Sequence, residues 1–152
     1  MNVKLKYLDR TCLQEDAFIK LVRKYGSKLT HDVLIIFDLR IKDFGLYMFD
    51  GKKKIHTIQI SPTRCNLSFE GTKLDPAATK YHLISTAIHE LFHAQQYENM
   101  RGSFWSKKYR CADEISNAGV AEFFSVCEVE ARTHENQNIL QAVEYYTSCA
   151  EQ

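Results

Sequence analysis

Apolar and basic positions alternate over Val3-Lys4-Leu5-Lys6-Tyr7-Leu8, the two-residue period of a strand. Lysines on its outward positions predict a short strand at a sheet edge. Thr11-x-x-Gln14 has the spacing of a capping box. After it Leu13, Ala17, Phe18, Leu21, Val22 and Tyr25 repeat at helical spacing, and Gly26 is placed to end that helix. Asp32 to Asp38 is nearly all apolar and β-branched, which predicts a central strand buried on both faces. Phe44–Phe49 predicts another strand. Asp50-Gly51-Lys52-Lys53 turns the chain, and Lys54–Ile60 returns with Ile58 and Ile60 on one face. Ser61-Pro62 closes it.

Residues 63–74 carry no clear period and read as loop, with a short strand around Asn66–Glu70. Asp75-Pro76 then offers an N-cap oxygen followed by a residue that needs no N–H. No Pro or Gly interrupts Ala77 to Met100, and Ile84, Ala87, Ile88, Leu91 and Phe92 form an apolar stripe. A long helix is expected there. Arg101 to Tyr109 reads as a basic, aromatic loop with the only Trp. A second helix is expected from Asp113 or Ser116 to His134, and a third from Asn136 to Cys149, with Ile139, Leu140, Val143 and Tyr146 inward. Strands and one helix precede a helical half, so the expected fold is a single α+β domain over residues 1–152.

The composition is that of an ordinary globular chain, 45% apolar and 26% charged. A net charge of +1 gives no overall field for nucleic acid or an anionic membrane. No apolar run has the length of a membrane span, and Met1–Arg10 lacks the apolar core of a signal peptide. A cytoplasmic protein is expected. Cys12, Cys65, Cys111, Cys127 and Cys149 are odd in number and contain no C-x-x-C pair, which favours free thiols.

The chemistry enters within the long helix, at His89-Glu90-Leu91-Phe92-His93. Histidines four apart on a helix share a face, so both imidazoles can reach one ion. Glu90 is rotated away from the ion but close to a water bound there. Two neutral nitrogen ligands, an open position and a proton-accepting carboxylate are what a water-activating zinc site needs. Two histidines leave such a site one ligand short. A third histidine in His-x-x-Gly-x-x-His spacing is absent, because Gln96 and Asn99 stand at those positions. Glu122, Glu128, Glu130 and His134 on the following helix remain as candidates.

In these motifs the chain resembles the zincin metallopeptidases of the gluzincin type, over roughly residues 44–134. In that type a glutamate on the next helix completes the site, often in Glu-x-x-Ala followed by Asp or Asn. Here Glu128-Val129-Glu130-Ala131-Arg132 stands in its place, and aligning the alanine makes Glu128 the ligand. Glu130 is the next choice. His134 would suit relatives that remove DNA–protein crosslinks. Arg132 departs from the pattern: the residue there usually accepts a hydrogen bond from a ligating histidine. Glu130, Glu135 or a backbone carbonyl would have to accept it instead.

The resemblance implies a zinc endopeptidase, with zinc on His89, His93 and Glu128 and with Glu90 as the general base. Small cytoplasmic proteases that cleave repressors or crosslinked proteins are the nearest groups by size. It also implies a protein or peptide substrate lying along a sheet edge, expected near His56–Ile60. His56 itself reads as a surface strand residue rather than a ligand. An oxyanion donor should exist, Tyr97 and Tyr109 being near in sequence. Two other classes are open: a non-catalytic zincin-fold component of an assembly, and a nucleic-acid-associated protein using the basic loop 101–110.

Overall fold

A computed structural model describes the backbone of residues 1–66, 73, 75–100 and 117–152, and the side chains of these except 100 and 117–126. The elements run β1 (Val3–Tyr7), α1 (Glu15–Tyr25), β2 (Asp32–Phe37), β3 (Gly45–Asp50), β4 (Ile55–Ile60), α2 (Pro62–Cys65), α3 (Pro76–Met100) and α4 (Asn117–Ala150). The fold is α+β. The expected loop 101–110, the strand around 66–70 beyond Asn66 and the start of the second helix lie outside the described residues. Among those described, no helix is long and apolar enough to cross a membrane.

The sheet order is β1-β2-β4-β3. β1, β2 and β4 are mutually parallel, and β3 returns antiparallel on β4 with Tyr47 opposite Ile58 and Gly45 opposite Ile60. Two sequence expectations change here. β2 is central, but only one of its faces is deeply buried: Val33, Ile35 and Phe37 point into the core, while Leu34 and Ile36 are half-buried. β4 is internal, between β2 and β3, so it cannot be the edge expected near His56–Ile60. The parallel pairing with β2 takes the side of β4 that the hairpin leaves open.

Helices α1 and α3 lie on the buried sheet face, and α4 packs across both. Phe18, Leu21, Phe37, Ile58, Ile84 and Ile88 are fully buried where these layers meet. Asp75 caps α3 as its sequence suggests, Oδ1 accepting from Ala78 N at 2.8 Å. Thr11 does not cap α1. The helix starts at Glu15, Thr11 Oγ1 accepts from Leu13 N, and the Gln14 N–H donates to the Tyr146 hydroxyl of α4 at 2.7 Å. A tertiary partner has replaced the local capping box.

The expected second and third helices are one continuous helix, α4. The residues around the expected break, His134–Asn138, are polar but include no Gly or Pro. Asn138 Nδ2 donates to the His134 carbonyl at 2.8 Å, a bond within the helix. Ala131, Ile139, Ala142 and Tyr146 stay buried along the same side. Continuity matters for the site, because it keeps Glu135 in helical register with Glu128, seven residues or two turns away.

Candidate metal centre

His89 and His93 project from α3 toward α4, where Glu128 faces both. Glu128 Oε2 lies 3.1 Å from His89 Nε2, and Glu128 Oε1 lies 2.7 Å from His93 Nε2. Ligand atoms of the three side chains fall within 4.8 Å of one another. Of the other residues proposed as third ligand, Glu130 accepts from Gln96 Nε2 at 3.0 Å, and His134 stacks on Phe92 with ring centres 4.4 Å apart. The side chain of Glu122 is outside the described residues.

The second nitrogen of each histidine is tied down. His89 Nδ1 lies 3.0 Å from Glu135 Oε1, and Ser85 Oγ donates to the other oxygen of Glu135. Burial pushes the Glu135 carboxyl up, but the bonds from His89 and Ser85 outweigh it and hold the group below its ordinary value. Glu135 is therefore an ionised acceptor, and His89 Nδ1 carries the proton. His93 Nδ1 lies 2.8 Å from Gln96 Oε1. Gln96 Nε2 spends its hydrogens on the Cys127 carbonyl and on Glu130, so its oxygen must accept from His93.

With both Nδ1 atoms protonated, the imidazoles in their neutral form would aim their Nε2 lone pairs at the Glu128 carboxylate; burial pulls the His89 ring down, but Glu135, Glu90 and Glu128 outweigh it and favour its protonated form. Lone pairs facing lone pairs repel unless positive charge sits among them. One metal ion satisfies all three side chains together, and two imidazole nitrogens with a carboxylate oxygen are a donor set zinc accepts. The Glu128 side chain is 47% exposed, so an ion there would keep a face toward solvent. The residues thus fit the ion that the motif implies.

Glu90 stands beside this group and is 7% exposed. Burial pushes its carboxyl up to about 7; the His89 charge pulls it down, and Glu128, Asp43 and Glu135 push it further up. β3 runs directly against it. A Cβ on Gly45 would sit 2.6 Å from Thr86 Cγ2 and 3.1 Å from Glu90 Cγ, so only glycine lets the strand approach this closely.

His56 is fully buried, not a surface residue. Its Nε2 lies 2.5 Å from Glu98 Oε2, and its Nδ1 lies 2.8 Å from the Tyr47 hydroxyl. His31, His56 and Glu98 form a second group with metal-ligating atoms close together. Its bonding differs from that of the first group. Glu98 Oε1 accepts from Thr30 N and Thr30 Oγ1, and Oε2 accepts from His31 N. These N–H and O–H donors already satisfy the carboxylate, so the group is a latch between the end of α3 and the segment before β2.

Comparison of the chain with family models, curated proteins and solved structures finds no match. The geometry therefore stands by itself. A cleft between β3 and the α3–α4 pair contains His89, Glu90, His93 and Glu128, with Tyr47, Gln96, Tyr97, Arg132 and Glu135 also in its lining. Tyr97 stacks on Phe49 with ring centres 4.5 Å apart, and Tyr109 lies outside the described residues. Sequence reasoning missed Gln96, Gly45 and Tyr47. Gln96 carried a signal, being three residues after His93 on the same helix face. Gly45 and Tyr47 are set by the packing of a distant strand on α3.

Proposed function

We propose that this chain is a zinc-dependent endopeptidase, with His89, His93 and Glu128 holding the ion and Glu90 acting as general base. The observation that carries the reading is the pair of Nε2 atoms converging on Glu128, each imidazole fixed through its Nδ1 by Glu135 or Gln96. A zinc ion bound there supplies Lewis acidity, easing the ionisation of water and polarising a carbonyl. The remaining work belongs to the protein. Glu90 takes the proton from the attacking water and returns it to the leaving amine. Its burial beside Gly45 keeps it a stronger base than a solvated carboxylate and fixes its approach.

The peptide would lie along β3, the terminal strand of the sheet among the described residues, rather than along β4. Ser61 N donates to the Phe44 carbonyl. The alternation of an antiparallel ladder then turns the backbone groups of Gly45, Tyr47 and Phe49 away from β4 and toward the cleft rim. Cys12, Cys65 and Cys149 are free thiols. That suits the reducing, cytoplasmic setting included in this proposal.

The test is hydrolysis of unfolded protein and peptide substrates by the parent chain and by Glu90→Gln. The variant should keep its metal and its fold while hydrolysis falls ~10²–10⁴-fold. A metal-loaded variant that cuts at the parent rate would remove Glu90 from the reaction. A metal-loaded parent that cuts nothing would favour a non-catalytic binding role for the same fold.

A further inference from the structure

Arg132 lies on α4 four residues after Glu128 and three before Glu135, so all three share one side of the helix. Such spacing normally lets an arginine pair with one or both acids. Here both carboxylates are engaged elsewhere, Glu128 facing His89 and His93, and Glu135 held by His89 and Ser85. Arg132 is exposed, and among the described residues no ion pair or hydrogen bond engages its side chain. It also lines the cleft, where it is the one Lys or Arg among the described lining residues. The other charged side chains of that lining, Asp43, Glu90, Glu128 and Glu135, are acids.

Apart from the ion proposed at the centre, Arg132 is the one fixed positive charge among the described lining residues, set among acids that repel a carboxylate elsewhere. We propose that Arg132 is a specificity-determining residue that takes a carboxylate of the bound peptide, so that the cleft selects chains carrying a negative group beside the metal centre. The inference rests on the peptidase reading for the identity of the ligand as a peptide. Guanidinium recognises carboxylate through two parallel N–H···O bonds, which fix orientation as well as charge. The negative group has two sources, an Asp or Glu side chain or the carboxylate at the end of the peptide.

Binding separates these without requiring cleavage. Fluorescent peptides of one sequence, with a central Glu or a central Gln and with a free or an amidated C-terminus, are titrated against the Glu90→Gln chain with one equivalent of zinc. The Glu peptide should bind about five- to tenfold more tightly than its Gln counterpart. Arg132→Gln should abolish that difference and leave the Gln peptide's affinity as it was, and Arg132→Glu should reverse the preference. If amidation, and not the Glu-to-Gln change, removes the gain, the carboxylate is the terminal one. Equal binding of all peptides, no binding of any, or a uniform loss in Arg132→Gln overturns the assignment. Cleavage by the parent chain judges the peptidase reading separately.

Discussion

Glu135 Oε1 lies 3.0 Å from His89 Nδ1, two helical turns beyond the carboxylate that faces the other side of the same imidazole. One helix face thus supplies both the third ligand of the proposed centre and the group that orients its first. Loss of such an orienting carboxylate typically costs 10- to 100-fold in metal affinity. Glu135→Ala should therefore weaken zinc binding by roughly that factor, measured by competition with a chelating dye, with Glu135→Gln falling between. Unchanged affinity in Glu135→Ala would mean that His89 is held by packing alone.

Glu98 governs a different property. Burial pushes its carboxyl up, but the bonds from His56, Thr30 and His31 outweigh it and hold the group down to about 2. A depressed carboxyl contributes stability that is present above its unfolded value and lost as pH falls through its folded one. Unfolding free energy should thus decline between about pH 4.5 and pH 2. Glu98→Gln should flatten that decline and cost on the order of 2–4 kcal/mol at neutral pH. Denaturant titrations across this range measure both. An equally steep decline in the variant would place the acid sensitivity elsewhere.

Gly45 is the point where β3 meets the motif helix. Gly45→Ala puts a methyl group 2.6 Å from Thr86 Cγ2, so strand or helix must move. The expected cost is ~1–3 kcal/mol, seen as a lower thermal midpoint. Removing the opposing methyl in Gly45→Ala with Thr86→Ser should recover part of it, since the two sites are in contact. If the double variant is no more stable than Gly45→Ala alone, the close approach is not what limits this position.

The long helix from Pro76 to Met100 was readable in the sequence because its start signal, apolar stripe and lack of breakers all agree. That His89 and His93 share one face of this helix with Glu90 beside them was legible from helical spacing. Glu128 came from a family resemblance, and its position opposite both histidines depends on how α3 and α4 cross, which no local pattern encodes. The break expected between His134 and Asn136 does not occur, because the residues there include no Gly or Pro and the helix runs on through them. The strand order was hidden for a related reason. β4 reads as a hairpin partner of β3, and nothing local in Ile55–Ile60 shows that β2 takes its other side. His56 was misplaced as a consequence, because burying it depends on Glu98, 42 residues away.

The central claim is that His89, His93 and Glu128 hold one zinc ion between them. Elemental analysis of the chain after equilibration with zinc and removal of the excess tests it directly, alongside Glu128→Ala and Glu130→Ala. One zinc per chain is expected in the parent and in Glu130→Ala, falling to a small fraction of that in Glu128→Ala. Full occupancy in Glu128→Ala, or no zinc in the parent, would contradict it.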